Sequence, residues 1–134
     1  MNLNIYTDGG ARGNPGPAGI GAVFYNQSGQ VVKEISEYLG RTTNNQAEYR
    51  AVLRSLEEAK KIGAKRLQFF LDSELVVKQL NGEYKVKNKD LQPLFVRIHN
   101  LSLDFSQVGF KHIKREFNKE ADGLANLAMN KGSN

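Results

Sequence analysis

The sequence predicts an α/β fold on a mixed sheet, and three observations carry that prediction. Short stretches of alternating polarity crowd the N-terminal third, helical periodicity alternates with strand-like runs after it, and Gly- or Asn-containing turns punctuate the junctions. Leu3 and Ile5 alternate with Asn4 and Tyr6, so 2–8 is a strand ending at Asp8, followed by the glycine-rich loop GGARGNPGPAG. Stretches 19–26 and 30–39 are two further strands. The turn Gln27-Ser28-Gly29 joins them as an antiparallel hairpin, which completes a three-stranded meander.

Thr43 and Gln46 have the spacing of a capping box, so a helix starts there. Its apolar residues Ala47, Ala51, Val52, Leu56, Ala59 and Ile62 recur at three- and four-residue steps, and Gly63 ends it. Stretch 66–72 alternates again, with Leu67, Phe69 and Leu71 on one face and Asp72 closing the strand on the other. Ser73 to Leu80 is a short helix stopped by Asn81-Gly82. A basic loop over 83–89 precedes a helix from about Asp90 to Leu101, with Leu91, Leu94, Phe95, Ile98 and Leu101 turned to the core. Stretch 107–113 is the last strand. After the turn Lys114-Arg115-Glu116-Phe117, Asn118 caps a final helix carrying apolar Ala121, Leu124, Ala125 and Ala128.

A chain of 134 residues with 40% hydrophobic residues is expected to form one domain, 1–134, with a core that needs no staples. The absence of cysteine excludes disulfides, thiolate metal sites and thiol catalysis. No basic leader or long apolar run is evident, so a soluble, cytoplasmic protein is expected, with no membrane partner. Net charge is +5, and the excess gathers at Lys85, Lys87 and Lys89 and at Lys111, Lys114, Arg115 and Lys119. A polyanion is the natural partner for such a surface, although a solvated lysine-rich face has the same composition.

Four carboxylates stand out against this basic background. If the first strand rises, the meander brings the Thr43 helix to start at the same edge, and a right-handed crossover sets the 66–72 strand parallel beside the first. Asp8 and Asp72 then lie at the carboxyl ends of neighbouring strands, where open α/β sheets bind ligands, with Glu48 in the opening turns of the helix. If the last strand also rises, Asp122, four residues after Asn118, joins them. Singly, each has a structural explanation as a strand-end turn residue or a favourable charge near a helix N-terminus. Together they are costly, since two charges about 4 Å apart at an effective dielectric near 20 repel by roughly 4 kcal/mol. An all-oxygen set of this kind suits Mg²⁺ or Mn²⁺, and two such ions can activate water and stabilise the leaving oxygen of a phosphodiester.

The motifs Tyr6-Thr7-Asp8-Gly9-Gly10, Gly13-Asn14-Pro15-Gly16, Thr42-Thr43-Asn44-Asn45-Gln46-Ala47-Glu48, Leu71-Asp72-Ser73 and Asn118-Lys119-Glu120-Ala121-Asp122 occur in series over nearly the whole chain, which resembles type 1 ribonuclease H. The resemblance implies the ribonuclease H-like fold: a five-stranded mixed sheet, three antiparallel strands followed by two parallel, flanked by helices. It implies a monomeric endoribonuclease that hydrolyses the RNA strand of RNA/DNA hybrids with two Mg²⁺ or Mn²⁺ ions, leaving 5′-phosphate and 3′-hydroxyl ends. It assigns Asp8, Glu48, Asp72 and Asp122 as the catalytic metal-binding quartet.

The resemblance also places substrate contacts at Gly9, Gly10, Asn14, Asn44, Asn45, Glu74 and Asn118, and a phosphate of the DNA strand at Arg41 and Thr43. Amides and short carboxylates suit the 2′-hydroxyl, which both donates and accepts. Turn and cap chemistry is the competing explanation for the asparagines. Two departures from the family pattern stand out. The histidine that many members carry on a longer loop before the last helix is missing, which leaves Arg115 or Glu116 as partial substitutes, with His99 and His112 in structural positions. Tryptophan and the long basic protrusion are also absent, and Tyr84, Lys85, Lys87 and Lys89 either form a reduced grip on the DNA strand or a solvated loop with Tyr84 packed beneath. Nor is an additional N-terminal hybrid-binding domain expected. Two alternatives remain: a non-catalytic hybrid-binding module, and the same enzyme class acting on double-stranded RNA or RNA–DNA junctions.

Overall fold

The computed structural model describes residues 1–132. In chain order its elements are β1 (Asn2–Ala11), β2 (Gly16–Tyr25), β3 (Val31–Thr42), α1 (Asn44–Ile62), β4 (Arg66–Leu71), α2 (Glu74–Leu80), α3 (Gln92–Ser102), β5 (Gln107–His112), a single 3₁₀ turn at Arg115–Phe117, and α4 (Lys119–Gly132). The five strands form one sheet in the order β3-β2-β1-β4-β5. The first three pair antiparallel, whereas β4 and β5 add in parallel beside β1. No helix among the described residues is long and apolar enough to cross a membrane.

The stretch expected to be a glycine-rich loop is mostly sheet. β1 continues to Ala11 and β2 begins at Gly16, with Gly9 paired to Ile20 and Gly10 to Gly19. Gly9 serves close packing rather than a turn. A Cβ on Gly9 would overlap the Ala47 carbonyl at the start of α1, and one on Gly21 would overlap the Ala121 carbonyl of α4. Because Gly9 faces α1 while Asp8 and its partner Gly21 lie on the alternate face, α1 and α4 cover opposite sides of the sheet. β2 is therefore buried on both faces, with Ile20 and Phe24 under α1 and Val23 under α4.

The main core lies on the α1 side, where Leu3, Ile5, Leu67, Phe69 and Leu71 alternate toward the helices. Thr43 caps α1 by accepting from the Gln46 amide at 3.2 Å, and Gly63, in the left-handed region at φ 88°, ends it. The expected reciprocal half of the capping box is replaced, because Gln46 Oε1 accepts instead from the Thr42 hydroxyl at 2.8 Å. α1 also buries Tyr49 and Leu53, beyond the predicted stripe, and α3 packs against the same helix. The Tyr49 hydroxyl donates to Gln79 Oε1 of α2 at 2.6 Å. The 90–101 helix starts two residues later than expected, at Gln92, with Pro93 in its first turn.

The tight seat of α4 on β2 generates a paired expectation. Gly21→Ala forces the helix off the sheet and costs about 1–3 kcal/mol, whereas Gly123→Ala, on the same helix with open space around its Cβ position, stabilises by roughly 0.5–1 kcal/mol. Urea unfolding of the two variants measures the contrast.

Candidate active site

The parallel ladder between β1 and β4 runs in register from Asn2↔Arg66 to Tyr6↔Phe70. The rings of that last pair stack at 4.6 Å between centroids. Two residues further along each strand the same face recurs, and there Asp8 and Asp72 stand side by side. Asp8 is thus three residues short of the end of β1, not at its end as expected, while Asp72 directly follows β4. Glu48 enters from α1, whose opening turn is pressed against Gly9. One carboxylate oxygen from each of Asp8, Glu48 and Asp72 lies within 4.8 Å of the others. Asp122, in the first turn of α4, lines the same cleft from the opposite layer, near enough to Asp8 to shift its acidity but outside that set of three.

Crowding of this charge reshapes its acidity. Burial, then the Asp72 carboxylate, then the hydrogen bond and charge of Asp122, then Glu48 push Asp8 from 3.8 up to about 8. Burial and Asp72 lift Glu48 from 4.5 to about 7, against the opposing pull of a Ser73 hydrogen bond and the Arg115 guanidinium. At neutral pH the cluster therefore holds protons until a cation neutralises it. Hard oxygen donors at this spacing, in a cleft open to solvent, fit a divalent cation such as Mg²⁺ or Mn²⁺.

A cleft of about 440 Å³ opens over the cluster and gathers Gly9, Gly10, Asn44, Asn45 and Arg115 with Asp8, Glu48, Asp72 and Asp122. Asn14 and Asn44 are linked behind its rim. Asn14 Oδ1 accepts from the Asn44 amide at 3.1 Å, and Asn44 Oδ1 accepts from the Ala11 amide at 2.7 Å, so the β1–β2 hairpin is tied to the start of α1. Arg41 is exposed near the end of β3 and Thr43 is engaged as the cap. Glu74 is drawn to Lys78 at 3.0 Å and faces His112 at 3.9 Å. Tyr84 and Lys85 flank a separate hollow of about 510 Å³ with Val86 and Phe95, and Tyr84 is exposed rather than packed beneath the loop. Lys87 and Glu116 are exposed outside the cleft lining.

Asn118 departs most from expectation. It is 1% exposed, which removes it from any substrate surface, and its side chain does not cap α4. Its Nδ2 instead donates to the Thr7 carbonyl and to Asp72 Oδ2, both at 2.9 Å. Sequence reasoning also missed Ser73, Asn126 and Met129 in the cleft wall. Ser73 alone had a local signal, since it follows Asp72 and caps α2 by accepting from the Val76 amide at 3.3 Å.

A mixed sheet in the order 3-2-1-4-5 with carboxylates meeting where its central parallel strands part defines the ribonuclease H-like class of fold. Residues 6–128 match the family described as "Reverse transcriptase-like". The chain is 44% identical over 130 residues to a "Bifunctional protein" of Mycobacterium tuberculosis, covering 96% of this chain and 36% of that one. It is 41% identical over 127 residues to "Ribonuclease HI" of Halobacterium salinarum, covering 95% and 64%. It therefore spans between about a third and two thirds of the length of these relatives. The crystal structure of LC11 ribonuclease H1 in complex with an RNA/DNA hybrid superposes with a TM-score of 0.94 at 44% identity, over 98% of this chain and 99% of that one. The chain belongs to the type 1 ribonuclease H family.

The acidities of the cluster generate a pH expectation. Asp8 and Glu48 bind protons more tightly folded than unfolded, so their contribution to stability is present at low pH and is lost as pH rises toward about 8. In EDTA, Tm falls between about pH 5 and about pH 8, Mg²⁺ restores it at the upper end, and Asp8→Asn flattens the slope. Calorimetric unfolding across that range, with and without Mg²⁺, checks it.

Proposed function

We propose that the chain is an endoribonuclease that hydrolyses the RNA strand of RNA/DNA hybrids in this cleft, as a cytoplasmic monomer. The observation that carries this reading is the meeting of Asp8, Glu48 and Asp72 within 4.8 Å, beside Asp122, in a cleft whose wall also carries amides, glycines and two arginines. The quartet would hold two Mg²⁺ or Mn²⁺ ions, with Asp8 and Asp72 central. Such cations supply a reactive water and neutralise charge on the departing oxygen, leaving a 5′-phosphate and a 3′-hydroxyl.

The chain's own residues supply recognition. Because the β1–β4 ladder stops at Tyr6, the backbone edge of β1 at Gly9 and Gly10 is no longer paired to β4 and is open to a sugar-phosphate backbone. Fixing Oδ1 of Asn14 and Asn44 to backbone amides leaves their Nδ2 groups to donate toward a 2′-hydroxyl, which marks RNA against DNA. Asn45 and Glu74 extend the same contact surface. Arg41 and Thr43 hold a phosphate of the DNA strand, and Tyr84, Lys85 and Lys87 form a reduced basic grip further out. Of the two candidates for the missing histidine, Arg115 is supported by its place in the cleft and by its field on Glu48.

Labelled RNA/DNA hybrid, double-stranded RNA, an RNA–DNA junction and double-stranded DNA, each incubated with Mg²⁺, Mn²⁺ or EDTA, test the reading. Cleavage confined to RNA residues, dependent on metal and leaving 5′-phosphate ends, is expected. Asp8→Asn and Asp72→Asn lower kcat by at least about 100-fold while circular dichroism stays native. Hybrid binding without cleavage would make the chain a non-catalytic module.

A further inference from the structure

Asn118 sits where the paired strands of the central sheet open. The β1–β4 ladder ends at Tyr6↔Phe70, which leaves the Thr7 carbonyl on one side of the fork and Asp72 on the other. A single side-chain nitrogen spans that gap, one hydrogen donated to the Thr7 carbonyl and one to Asp72 Oδ2, each at 2.9 Å. The reversed amide would set Oδ1 against two acceptors, so the orientation is dictated by its surroundings. This bridge has a cost in the helix. Asn118 precedes α4, and its carbonyl accepts the first helical bond from the Asp122 amide at 3.1 Å, yet its side-chain oxygen is buried without a hydrogen-bond partner instead of capping the helix.

The geometry points to Asn118 as a positioning residue that sets Asp72 and Asp122 relative to one another. Its amide claims one oxygen of Asp72 and so fixes the plane of that carboxylate from behind, while its backbone carbonyl anchors the turn that presents Asp122. The chemistry needs two donors on one nitrogen and no added charge, at a reach that only asparagine offers here. Lysine would bring charge into the cluster, and isosteric aspartate would bring charge without donors. With Oδ2 held by the amide, the other oxygen of Asp72 is left to face a cation. This inference rests on the cation-binding reading of the cleft.

The test compares Asn118→Ala, Asn118→Asp and Ser36→Ala with the unaltered protein. Ser36→Ala removes a hydrogen bond of 2.7 Å from β3 to the Leu124 carbonyl of α4, and so loosens the same helix away from the cluster. Calorimetric titration with Mn²⁺ alone, Tm, and kcat and KM on hybrid are read for each. Asn118→Ala is expected to weaken Mn²⁺ binding and lower kcat by about 10–100-fold, with KM for hybrid shifted much less. Asn118→Asp lowers kcat at least as far, and it decides the matter if the alanine variant does not fold. Ser36→Ala lowers Tm alone. Should Asn118→Ala behave like Ser36→Ala, or Asn118→Asp keep the unaltered kcat, the positioning role is overturned. If the unaltered protein binds Mn²⁺ without cutting hybrid, the proposed activity fails, and the Mn²⁺ titration of Asn118→Ala still decides this inference.

Discussion

Like charge gathered where two parallel strands part is the constraint around which the molecule is arranged. Asp8 and Asp72 share a face because the register that stacks Tyr6 on Phe70 continues past the end of the ladder. Glu48 is added because Gly9 lets α1 lie flush against β1. None of these contacts relieves repulsion among the carboxylates, which the folded chain answers by holding protons, with Asp8 raised to about 8 and Glu48 to about 7. The rest of the fold must supply the free energy that keeps the charges together. That supply lies just beneath, in the buried run of Leu3, Ile5, Leu67 and Phe69 on the α1 face.

The second requirement is an accurate seat for α4. Gly19 and Gly21 on β2 meet Ala121, Ala125 and Ala128 on the helix, so backbone packs close to backbone and little side-chain rearrangement is available to absorb an error. Asp122 and Asn118 inherit their positions from that contact. Asp122 reaches Asp8 because Asp8 is the β1 partner of Gly21, the residue over which the first turns of α4 lie. A stripe of small residues is thereby the reason that the fourth carboxylate and the buried amide arrive at the same fork.

Much of this is legible in the sequence, and the misses share a cause. The alternation of Leu67, Phe69 and Leu71, the Thr43 cap and the Gly63 stop are local signals, and the corresponding elements lie where they point. Convergence of Asp8, Glu48 and Asp72 follows from topology alone, through the right-handed crossover. Gly9 looks like loop because glycine marks turns and also marks close approach, and only the partner across the gap distinguishes the two. Tyr49 is buried outside the predicted stripe of α1, where its hydroxyl donates to Gln79 of α2, a contact that periodicity within α1 does not encode. Asn118 has the residue type and place of a cap. Its inward turn depends on a carbonyl and a carboxylate that are 111 and 46 residues away.

Three amides at or behind the cleft share a pattern, with one end of each fixed to the protein's own backbone or carboxylates. Asn14 and Asn44 give their Oδ1 atoms to backbone amides, and Asn118 gives its Nδ2 hydrogens to a carbonyl and to Asp72. Amides tethered in this way have little rotational freedom left to lose when a ligand arrives, so the ordering cost of binding has been met during folding. The same tethering explains why the hairpin tip at Arg12–Pro15 can be irregular while the cleft beside it is not. Its neighbour Ala11 is pinned through Asn44 to the first turn of α1, the turn that also carries Ala47 and leads into Glu48. A displacement of the hairpin would therefore be felt at Glu48, which couples the surface proposed to read the sugar to the cluster proposed to act on the phosphate.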